Sequence, residues 1–545
     1  MKFLHCTEGV LRMKITFIGA CHEVTGSAHY LSVGDKKIII DYGMEQGVNL
    51  YENQTPPWSA AETDYVLITH AHIDHTGLLP LLYKQGFRGK VYTTNATREL
   101  CSIMLRDCAH IQQFESEWKS RKNKRKGQPP VIPLFDFEDV AGVMDLFVGC
   151  HYEEVVHICD ELTVRFIDAG HLLGSASIEC YLTEGDVKKK VVFSGDIGNV
   201  DQPIIKDPQY IDDADVVIME STYGNRLHAD ENPNYEGDLS KIIAETIQKG
   251  GNVVIPCFAV GRTQEVLYHI RQLKQDNVIP GFEDIAVYVD SPLAVAATSI
   301  FNKVDHECLD EETLDLLSKN INPIEFKGLR LSETTDDSKA INFDKNPKVI
   351  LAASGMCDAG RIRHHLKYNL WREDSAIVFA GYQSLGTPGR AILDGATSIK
   401  IFGEEIAIKA RICKITGISG HADKEGLLKW ASAYKKKPDE FIVVHGNDEV
   451  TDEWAQTLRD SLGVKATAPY SGAVYNIITG AWESTGVATK LRTKKQAGHT
   501  SSVYQRLLAC GERLLAVIRK NEGCANKDLA KMADQIDNLC DKWDR

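Results

Sequence analysis

The sequence lacks the features that mark membrane-spanning and secreted proteins. No stretch of the 545 residues approaches the roughly 18 uninterrupted apolar residues that a transmembrane helix needs. The first residues lack the basic region and the long apolar run of a secretory signal. The 14 cysteines contain no CxxC pair and no regular spacing, which argues against a disulfide framework. We therefore expect reduced thiols, a cytoplasmic location and no membrane partner.

Nucleotide-binding motifs and an excess of positive charge are also missing. The chain contains neither a Walker A motif nor GxGxxG, so nothing supports a bound nucleotide cofactor. The net charge of −14 argues against wholesale coating by nucleic acid, but it leaves a local basic groove open. The hydrophobic content of 43% and the charged content of 25% are ordinary for a globular enzyme. At this length we expect two or three domains.

What the sequence does contain is a dense group of metal-competent side chains, His-Ala-His-Ile-Asp-His, at residues 70–75. Residues 64–69 are aliphatic and β-branched and predict a buried strand, while residues 75–80 resemble the opening of a helix. The group therefore lies on a loop at a strand end, where a rigid scaffold can aim side chains at one point. Imidazole and carboxylate groups suit zinc. A histidine-rich surface turn is the alternative interpretation.

This HxHxDH pattern is the signature of the metallo-β-lactamase superfamily, which the chain resembles. The resemblance implies an αβ/βα sandwich with a two-metal site on one edge. Asp41 resembles the family's first motif, an aspartate that orients the metal-binding loop without binding metal. His171 and Asp196 follow predicted strands in the family's order. The family pattern implies these ligands: His70, His72 and His171 for one ion, Asp74, His75 and His445 for the other, and Asp196 for both.

Beyond a predicted strand that ends at Glu220, alternating helix and strand patterns interrupt the sandwich. Repeated βα units imply a parallel sheet covered on both faces, and hence an inserted α/β domain. Loops at the carboxyl ends of parallel strands are where such sheets bind ligands. We therefore expect substrate contacts from the small-residue loops of this domain: Arg262, Ser354, Gly355 and Tyr382.

The order of Glu220, His421 and His445 resembles motifs A, B and C of the β-CASP group, the RNA- and DNA-processing branch of the superfamily. The glycine-containing segment at residues 19–27 agrees with this resemblance. The resemblance implies two divalent ions, zinc or else manganese, and a hydroxide held by both that attacks a phosphodiester. It also implies that His421, held by Glu220, is the general acid, and that Asp74 serves the catalytic centre.

The predicted function is a metal-dependent phosphodiester hydrolase acting on single-stranded RNA, and more narrowly an endoribonuclease. Family members that cut from a 5′ end usually carry a serine near the motif B histidine, where this chain has Asp423. The alternatives are an RNA 5′-exonuclease, a DNA-directed nuclease, a small-ester or thioester hydrolase, and an inactive binding subunit. A homodimer is left open.

The predicted domain division follows these motifs. We expect a metallo-β-lactamase domain at residues 13–215, an inserted β-CASP domain at 216–404, a return segment of the first domain at 405–480 and a helical extension of unassigned role at 481–545. We interpret residues 1–12 as an extension without structural role, and the cations Lys490, Arg492, Lys494 and Lys495 as a solvated linker. Six cations within residues 119–126 predict a mobile exposed loop, either solvated or contacting RNA phosphates.

Overall fold

The computed structural model describes residues 12–47, 50–228, 234–384, 386–415, 419–491, 502–521 and 526–543. The predicted N-terminal extension lies outside these ranges except for its last residue, as do Arg492, Lys494 and Lys495 of the predicted linker. Among the described helices, none is long and apolar enough to cross a membrane.

The first sheet has eight strands: β1 (Lys14–Gly19), β2 (Ala28–Val33), β3 (Lys36–Ile40), β4 (Tyr65–Leu67), β5 (Lys90–Thr94), β6 (Phe147–Cys150), β22 (Ala473–Asn476) and β23 (Ala481–Thr485). Their order across the sheet is β23-β22-β1-β2-β3-β4-β5-β6. Strands β3 to β6 run parallel. The carboxyl ends of β3 and β4 therefore meet at one edge, which places Asp41 beside the loop at residues 70–75.

The sequence pattern of residues 14–42 predicts two strands, at residues 15–18 and 37–41, that form a hairpin-like start, and this prediction is incomplete. In the structure β2 lies between β1 and β3 and pairs antiparallel with both. The strand was overlooked because its residues Ala-His-Tyr-Leu-Ser-Val are buried with one exception, so they show no alternation of polar and apolar side chains.

The second sheet has seven strands: β7 (Val156–Cys159), β8 (Leu162–Asp168), β9 (Ala176–Glu184), β10 (Val187–Phe193), β11 (Val216–Met219), β20 (Glu440–Val443) and β21 (Ala466–Thr467). Their order is β21-β20-β11-β10-β9-β8-β7. The neighbours β10, β11 and β20 run parallel, so the residues that follow them emerge side by side. These residues include Asp196, Glu220 and His445.

The two sheets pack face to face around a continuous apolar core. Side chains from both sheets are buried there, among them Ile15, Phe17, Leu31 and Ile38 from the first sheet and Phe166, Ile178, Val191 and Ile218 from the second. Each such side chain contributes about 1.5–3 kcal/mol by leaving water. This core fixes the position of one sheet relative to the other, and with it the positions of the two sheet edges that carry the candidate ligands.

Helices cover the outer faces of both sheets, as a predicted αβ/βα sandwich requires. Against the first sheet lie α2 (Leu79–Lys84), α3 (Asn95–Lys124) and α4 (Phe137–Met144), after the short α1 (Ile73–Thr76). Against the second lie α12 (Lys424–Ser432) and α13 (Asp448–Leu462), whose Trp430 and Trp454 are fully buried. The predicted sandwich is confirmed.

The third sheet belongs to the inserted region and has six strands: β12 (Val253–Pro256), β13 (Ala286–Val289), β14 (Leu329–Leu331), β15 (Lys348–Ala352), β16 (Ala376–Phe379) and β19 (Arg411–Lys414). Their order is β14-β13-β15-β12-β16-β19, and all pairings are parallel. Strands β17 (Ser398–Ile401) and β18 (Glu404–Ala407) form a separate hairpin. The predicted parallel-sheet domain is therefore confirmed.

Helices surround this third sheet: α5 (Tyr235–Gln248), α6 (Arg262–Gln275), α7 (Pro292–Phe301), α8 (Glu311–Ser318), α9 (Thr335–Phe343), α10 (Ile362–Asn369) and α11 (Pro388–Leu393). Strand β11 lies just inside the predicted inserted domain, which begins at residue 216, but it pairs in the second sheet of the sandwich. Strand β19 lies just after the predicted end of that domain at residue 404, but it pairs in the third sheet. The domain division of the chain stays a prediction.

The basic run at residues 119–126 is not a mobile loop, as predicted, but the end of a helix. Helix α3 spans 30 residues and continues through Lys124. Lys and Arg are good helix formers, and cations are favourable near a helix C-terminus. Nearly all of its buried residues lie in its first half, whereas exposed Phe114 and Trp118 precede the basic end.

The C-terminal region forms two helices, α14 (Ser502–Lys520) and α15 (Asn526–Trp543). Arg519 of α14 lies 3.2 Å from Glu62, in a 3₁₀ turn of the first domain (Ala60–Glu62). The described part of the predicted extension is thus helical from Ser502 onward, whereas its first residues form β23 of the first sheet.

Candidate metal centre

The candidate metal centre lies where the carboxyl ends of strands from the two sandwich sheets meet. The loop at residues 70–75 leaves β4 and enters α1, with His72 directly before the helix. The loop is held by Tyr42, whose N–H donates to the His75 carbonyl at 2.7 Å. Gly43 is required there, because a Cβ atom would lie 1.6 Å from the Asp74 carbonyl oxygen.

One group of donor atoms contains His70, His72 and His171. The Nδ1 atom of His72 lies 3.1 Å from His70 Nε2 and 3.2 Å from His171 Nε2. Asp196 Oδ2 completes the group, at 3.4 Å from His70 Nε2 and 3.5 Å from His171 Nε2. Ligand atoms that surround a tetrahedral zinc ion at about 2.0–2.1 Å are themselves separated by about 3.3 Å. The spacing therefore fits a single small cation.

A second group contains Asp74, His75 and His445. Asp196 Oδ1 lies 3.3 Å from His75 Nε2 and 3.5 Å from His445 Nε2. Asp74 Oδ2 also lies 3.5 Å from His445 Nε2. One oxygen of Asp196 thus faces the first group and the other faces the second. This is the arrangement that a carboxylate needs to bridge two cations.

Outer hydrogen bonds orient three of these imidazoles so that Nε2 faces the centre. Asp41 Oδ2 lies 2.7 Å from His75 Nδ1, and its Oδ1 accepts from the Thr69 N–H at 2.8 Å. His171 Nδ1 lies 2.7 Å from the Gly420 carbonyl, and His445 Nδ1 lies 3.1 Å from the Thr222 hydroxyl. Partners on the remote nitrogen of a metal-binding histidine select the tautomer and fix the ring.

Unpartnered buried atoms test whether this donor set fits metal ions. His75 Nε2, His445 Nε2 and Asp196 Oδ1 are buried and have no hydrogen-bond partner within the described residues. Leaving a buried polar atom unsatisfied costs about 1–3 kcal/mol. All three atoms belong to the second group, so a single cation there would satisfy them at once. Together with the donor spacing of the first group, this shows that the residues fit two divalent ions.

The protonation states of the imidazoles also bear on metal binding. Burial holds the pKa of His70 and of His171 well below the ordinary value, so both rings are neutral and can offer a lone pair. Burial opposes charge on His75 as well, but Asp196 and Asp41 raise its pKa well above the ordinary value. A proton and a cation therefore compete for the Nε2 atom of His75.

His421 lies beside the two groups and contacts Glu220. Its Nδ1 atom is 3.3 Å from both carboxylate oxygens of Glu220, which is buried and accepts a hydrogen bond from the Ile197 N–H at 2.5 Å. Burial alone would lower the pKa of His421, but Glu220, Asp196 and Asp74 raise it to about 9. Its Nε2 atom lies 4.0 Å from Asp196 Oδ2. A protonated imidazole therefore faces the centre.

Three of the predicted substrate-contact residues lie on loops at one edge of the third sheet, and Arg262 begins α6 at the same edge. Tyr382 is 48% exposed, and Gly355 packs beneath the ring of Phe258. The Ser354 hydroxyl donates to Asp358 at 2.5 Å. Gly355 is buried, and the Arg262 side chain is 11% exposed and pairs with Glu265 at 2.5 Å.

Several residues near the centre were not found from the sequence. Thr222 orients His445, and the edge of the Tyr223 ring contacts His421 with ring centres 5.8 Å apart. His228 Nε2 lies 2.9 Å from the His421 carbonyl. All three follow Glu220 closely, so their position after a motif residue was the available signal.

Comparisons with known proteins match this architecture along most of the chain. A metallo-β-lactamase superfamily domain matches residues 30–197, a β-CASP domain residues 263–392, and a Zn-dependent metallo-hydrolase RNA specificity domain residues 405–469. Ribonuclease TTHA0252 of Thermus thermophilus is 35% identical over 438 residues, covering 80% of this chain and 94% of the relative.

Two archaeal relatives match over similar lengths. The transcription termination factor FttA of Methanosarcina mazei is 31% identical over 481 residues, covering 85% of this chain and 71% of the relative. An RNase J-like protein of Methanocaldococcus jannaschii is 30% identical over 467 residues, covering 85% and 99% respectively.

The sandwich and its two groups of donor atoms place this protein in the class of metallo-β-lactamase-type metallo-hydrolases. With the inserted parallel-sheet domain and these relatives, the family is shown: the chain belongs to the β-CASP group of the metallo-β-lactamase superfamily.

Proposed function

We propose that this protein is a metal-dependent ribonuclease that cuts single-stranded RNA internally. The observation that carries the proposal is the donor set, in which every ligand position is filled and the two oxygens of Asp196 face different groups. The ribonuclease and RNase J-like relatives support RNA as the substrate. Zinc is the proposed metal, with manganese as the alternative, because the donors are imidazoles and carboxylates.

Each residue of the centre has a proposed task. His70, His72, His171, Asp74, His75 and His445 would hold the ions with Asp196 between them, and Asp41 would orient His75. When bound, two divalent cations lower the pKa of water to about 7 and neutralise charge on a reacting phosphodiester. His421 would hold a proton at Nε2 and deliver it to the leaving oxygen, while Glu220 keeps the ring protonated and oriented.

Internal cleavage is favoured by the position of Asp423. Its carboxylate accepts hydrogen bonds from the N–H groups of His228, Glu425 and Gly426, at 3.0–3.1 Å, and is thereby fixed directly after the His421 segment. A fixed carboxylate repels the terminal phosphate that an enzyme cutting from a 5′ end would have to hold.

Labelled substrates test this proposal. Purified protein with zinc or manganese should cut internally labelled and 5′-labelled single-stranded RNA into oligonucleotides from the first time points, and EDTA should stop the reaction. Early release of labelled mononucleotides from the 5′ end would show that the enzyme is an exonuclease and not an endonuclease. A DNA strand of the same sequence serves as the comparison. No cleavage of RNA with either metal would contradict the proposal.

The basic end of α3 is a proposed remote RNA-binding surface. Lys119 pairs with Glu115 at 2.8 Å, while the other five cations of residues 119–126 form no ion pair among the described residues. Replacing all six cations by serine should weaken binding of long RNA and flatten its salt dependence, by about 0.7 in the log–log slope for each phosphate that the protein no longer binds. Binding would be measured in EDTA at several salt concentrations.

A charge change half as large, made elsewhere on the surface, controls for net charge. Lys435, Lys436 and Lys437 are exposed but already contact Asp212, Asp215 and the Leu462 carbonyl. Replacing these three by serine should leave the slope as it is. An unchanged slope in the six-cation variant would show that the end of α3 is only a solvated surface.

A further inference from the structure

Arg226 is an exposed arginine with no ion pair among the described residues. Its guanidinium carbon lies 4.1 Å from the ring centre of Tyr223 and 5.2 Å from that of Tyr382. The guanidinium is thus held over two aromatic rings, while its planar N–H donors, which suit phosphate, have no carboxylate to bind. An arginine placed this way is available to a ligand.

The position of Arg226 connects the candidate acid to the inserted domain. Tyr223 contacts His421 on one side and Arg226 on the other. The Arg226 carbonyl accepts from the Lys424 N–H at 3.0 Å, which anchors its backbone beside α12. Its side chain then reaches Tyr382, in the loop that follows β16 of the third sheet. Arg226 therefore links the segment beside His421 to a loop of the inserted domain.

A second exposed ring lies at the same edge of the third sheet. Phe258 follows β12, is 50% exposed and rests on Gly355, where a Cβ atom would lie 3.2 Å from its ring. Because β12 and β16 are parallel neighbours, the Phe258 and Tyr382 loops emerge side by side. In the same loop as Phe258, Gly261 approaches Leu172, the residue after His171. The loop of Phe258 thus contacts the segment of His171, and Tyr382 is linked through Arg226 to the segment of His421.

We propose that Arg226, Phe258 and Tyr382 form a platform that binds single-stranded RNA and leads it to the metal centre. The two rings stack on bases and the guanidinium binds an adjacent phosphate. Aromatic rings combined with arginine are a sequence-tolerant way to hold single strands, because every base offers a flat face. A duplex has its base faces covered, so the platform selects unpaired RNA. This inference rests on the proposed ribonuclease function and adds the residues that position the strand.

Substitutions of platform residues test the proposal through the ratio of the kcat/KM values for two substrates. For each variant, kcat/KM for a single-stranded RNA is divided by kcat/KM for bis(p-nitrophenyl) phosphate, a small diester without nucleotides that cannot extend along the platform. Arg226→Ala and Tyr382→Ala should each lower this ratio about tenfold, the effect expected for removal of one stacking interaction, and chiefly through KM for RNA. Tyr382→Phe retains the ring and should restore the ratio.

A matched arginine controls for the removal of a surface cation over a tyrosine. Arg330 lies over Tyr288 at 5.5 Å on β14, at the far edge of the third sheet. Arg330→Ala should keep the wild-type ratio. Metal content and thermal unfolding of each variant show that the centre and the fold persist.

The outcomes separate the platform from the ribonuclease function. A wild-type protein that cleaves RNA, with unchanged ratios in Arg226→Ala and Tyr382→Ala, would overturn the platform and leave the function standing. A ratio that falls equally in Arg330→Ala would also overturn the platform, because the fall would then result from the loss of any surface positive charge. A wild-type protein that hydrolyses the small diester but not RNA would overturn the proposed function itself.

Discussion

Replacing Asp196 by asparagine is expected to abolish the two-metal centre and hydrolysis of every phosphodiester substrate. Asp196 is buried, and its two oxygens lie 3.3–3.5 Å from imidazole nitrogens of both donor groups. The amide keeps the shape but has no negative charge and offers a single oxygen. Elemental analysis should find one divalent ion or none per chain, and the rate should fall on the order of 10³-fold or more because water loses its activating cations.

A surface aspartate provides the control for this experiment. Asp186 lies in the exposed turn between β9 and β10, and Asp186→Asn should keep both ions and the wild-type rate. The bridging role of Asp196 is refuted if Asp196→Asn still holds two ions. Thermal unfolding without added metal shows whether the variant folds independently of the centre.

The residues of the centre could be predicted because each follows a buried strand in a recognisable order. His70, His171, Asp196 and His445 come shortly after β4, β8, β10 and β20. In the second sheet β10 and β20 run parallel on either side of β11, and β8 runs in the same direction because β8 and β10 both pair antiparallel with β9. The inserted parallel sheet could also be predicted, since its strands are short apolar runs that alternate with helices. Local patterns therefore indicated the sandwich and the inserted sheet, whereas the ligand set came from the family resemblance and stays a prediction.

What could not be predicted depends on contacts between residues distant in the chain. Arg226 and Tyr382 lie far apart in the sequence, and nothing local shows that they touch. Likewise, no local pattern shows that Thr222 reaches His445. The basic run was misinterpreted for a different reason: a cluster of like charges suggests an exposed loop, but here helix propensity continues α3 through it.

Removing the imidazole of His421 is the test of the proton donor, and its largest effect should depend on the leaving group. His421→Ala should keep both metal ions, because the two donor groups are complete without it. Hydrolysis of RNA, whose alkoxide leaving group needs a proton, should slow on the order of 10²–10⁴-fold. Hydrolysis of bis(p-nitrophenyl) phosphate should fall far less, because p-nitrophenolate leaves without a proton.

The same variant distinguishes the acid from a metal ligand. Asp196, Glu220 and His421 also lie close enough together to hold a cation, so the metal content of His421→Ala is decisive. Loss of an ion, with an equal fall in rate for both substrates, would make His421 a ligand instead of a proton donor. His364→Ala serves as the control. The His364 ring lies against Phe402 in the inserted domain, with ring centres 4.5 Å apart, and its removal is expected to affect neither quantity.

Glu220→Gln should resemble His421→Ala in its dependence on the leaving group, but its rate should fall less. The imidazole ring remains in this variant, while the charge that keeps it protonated is removed.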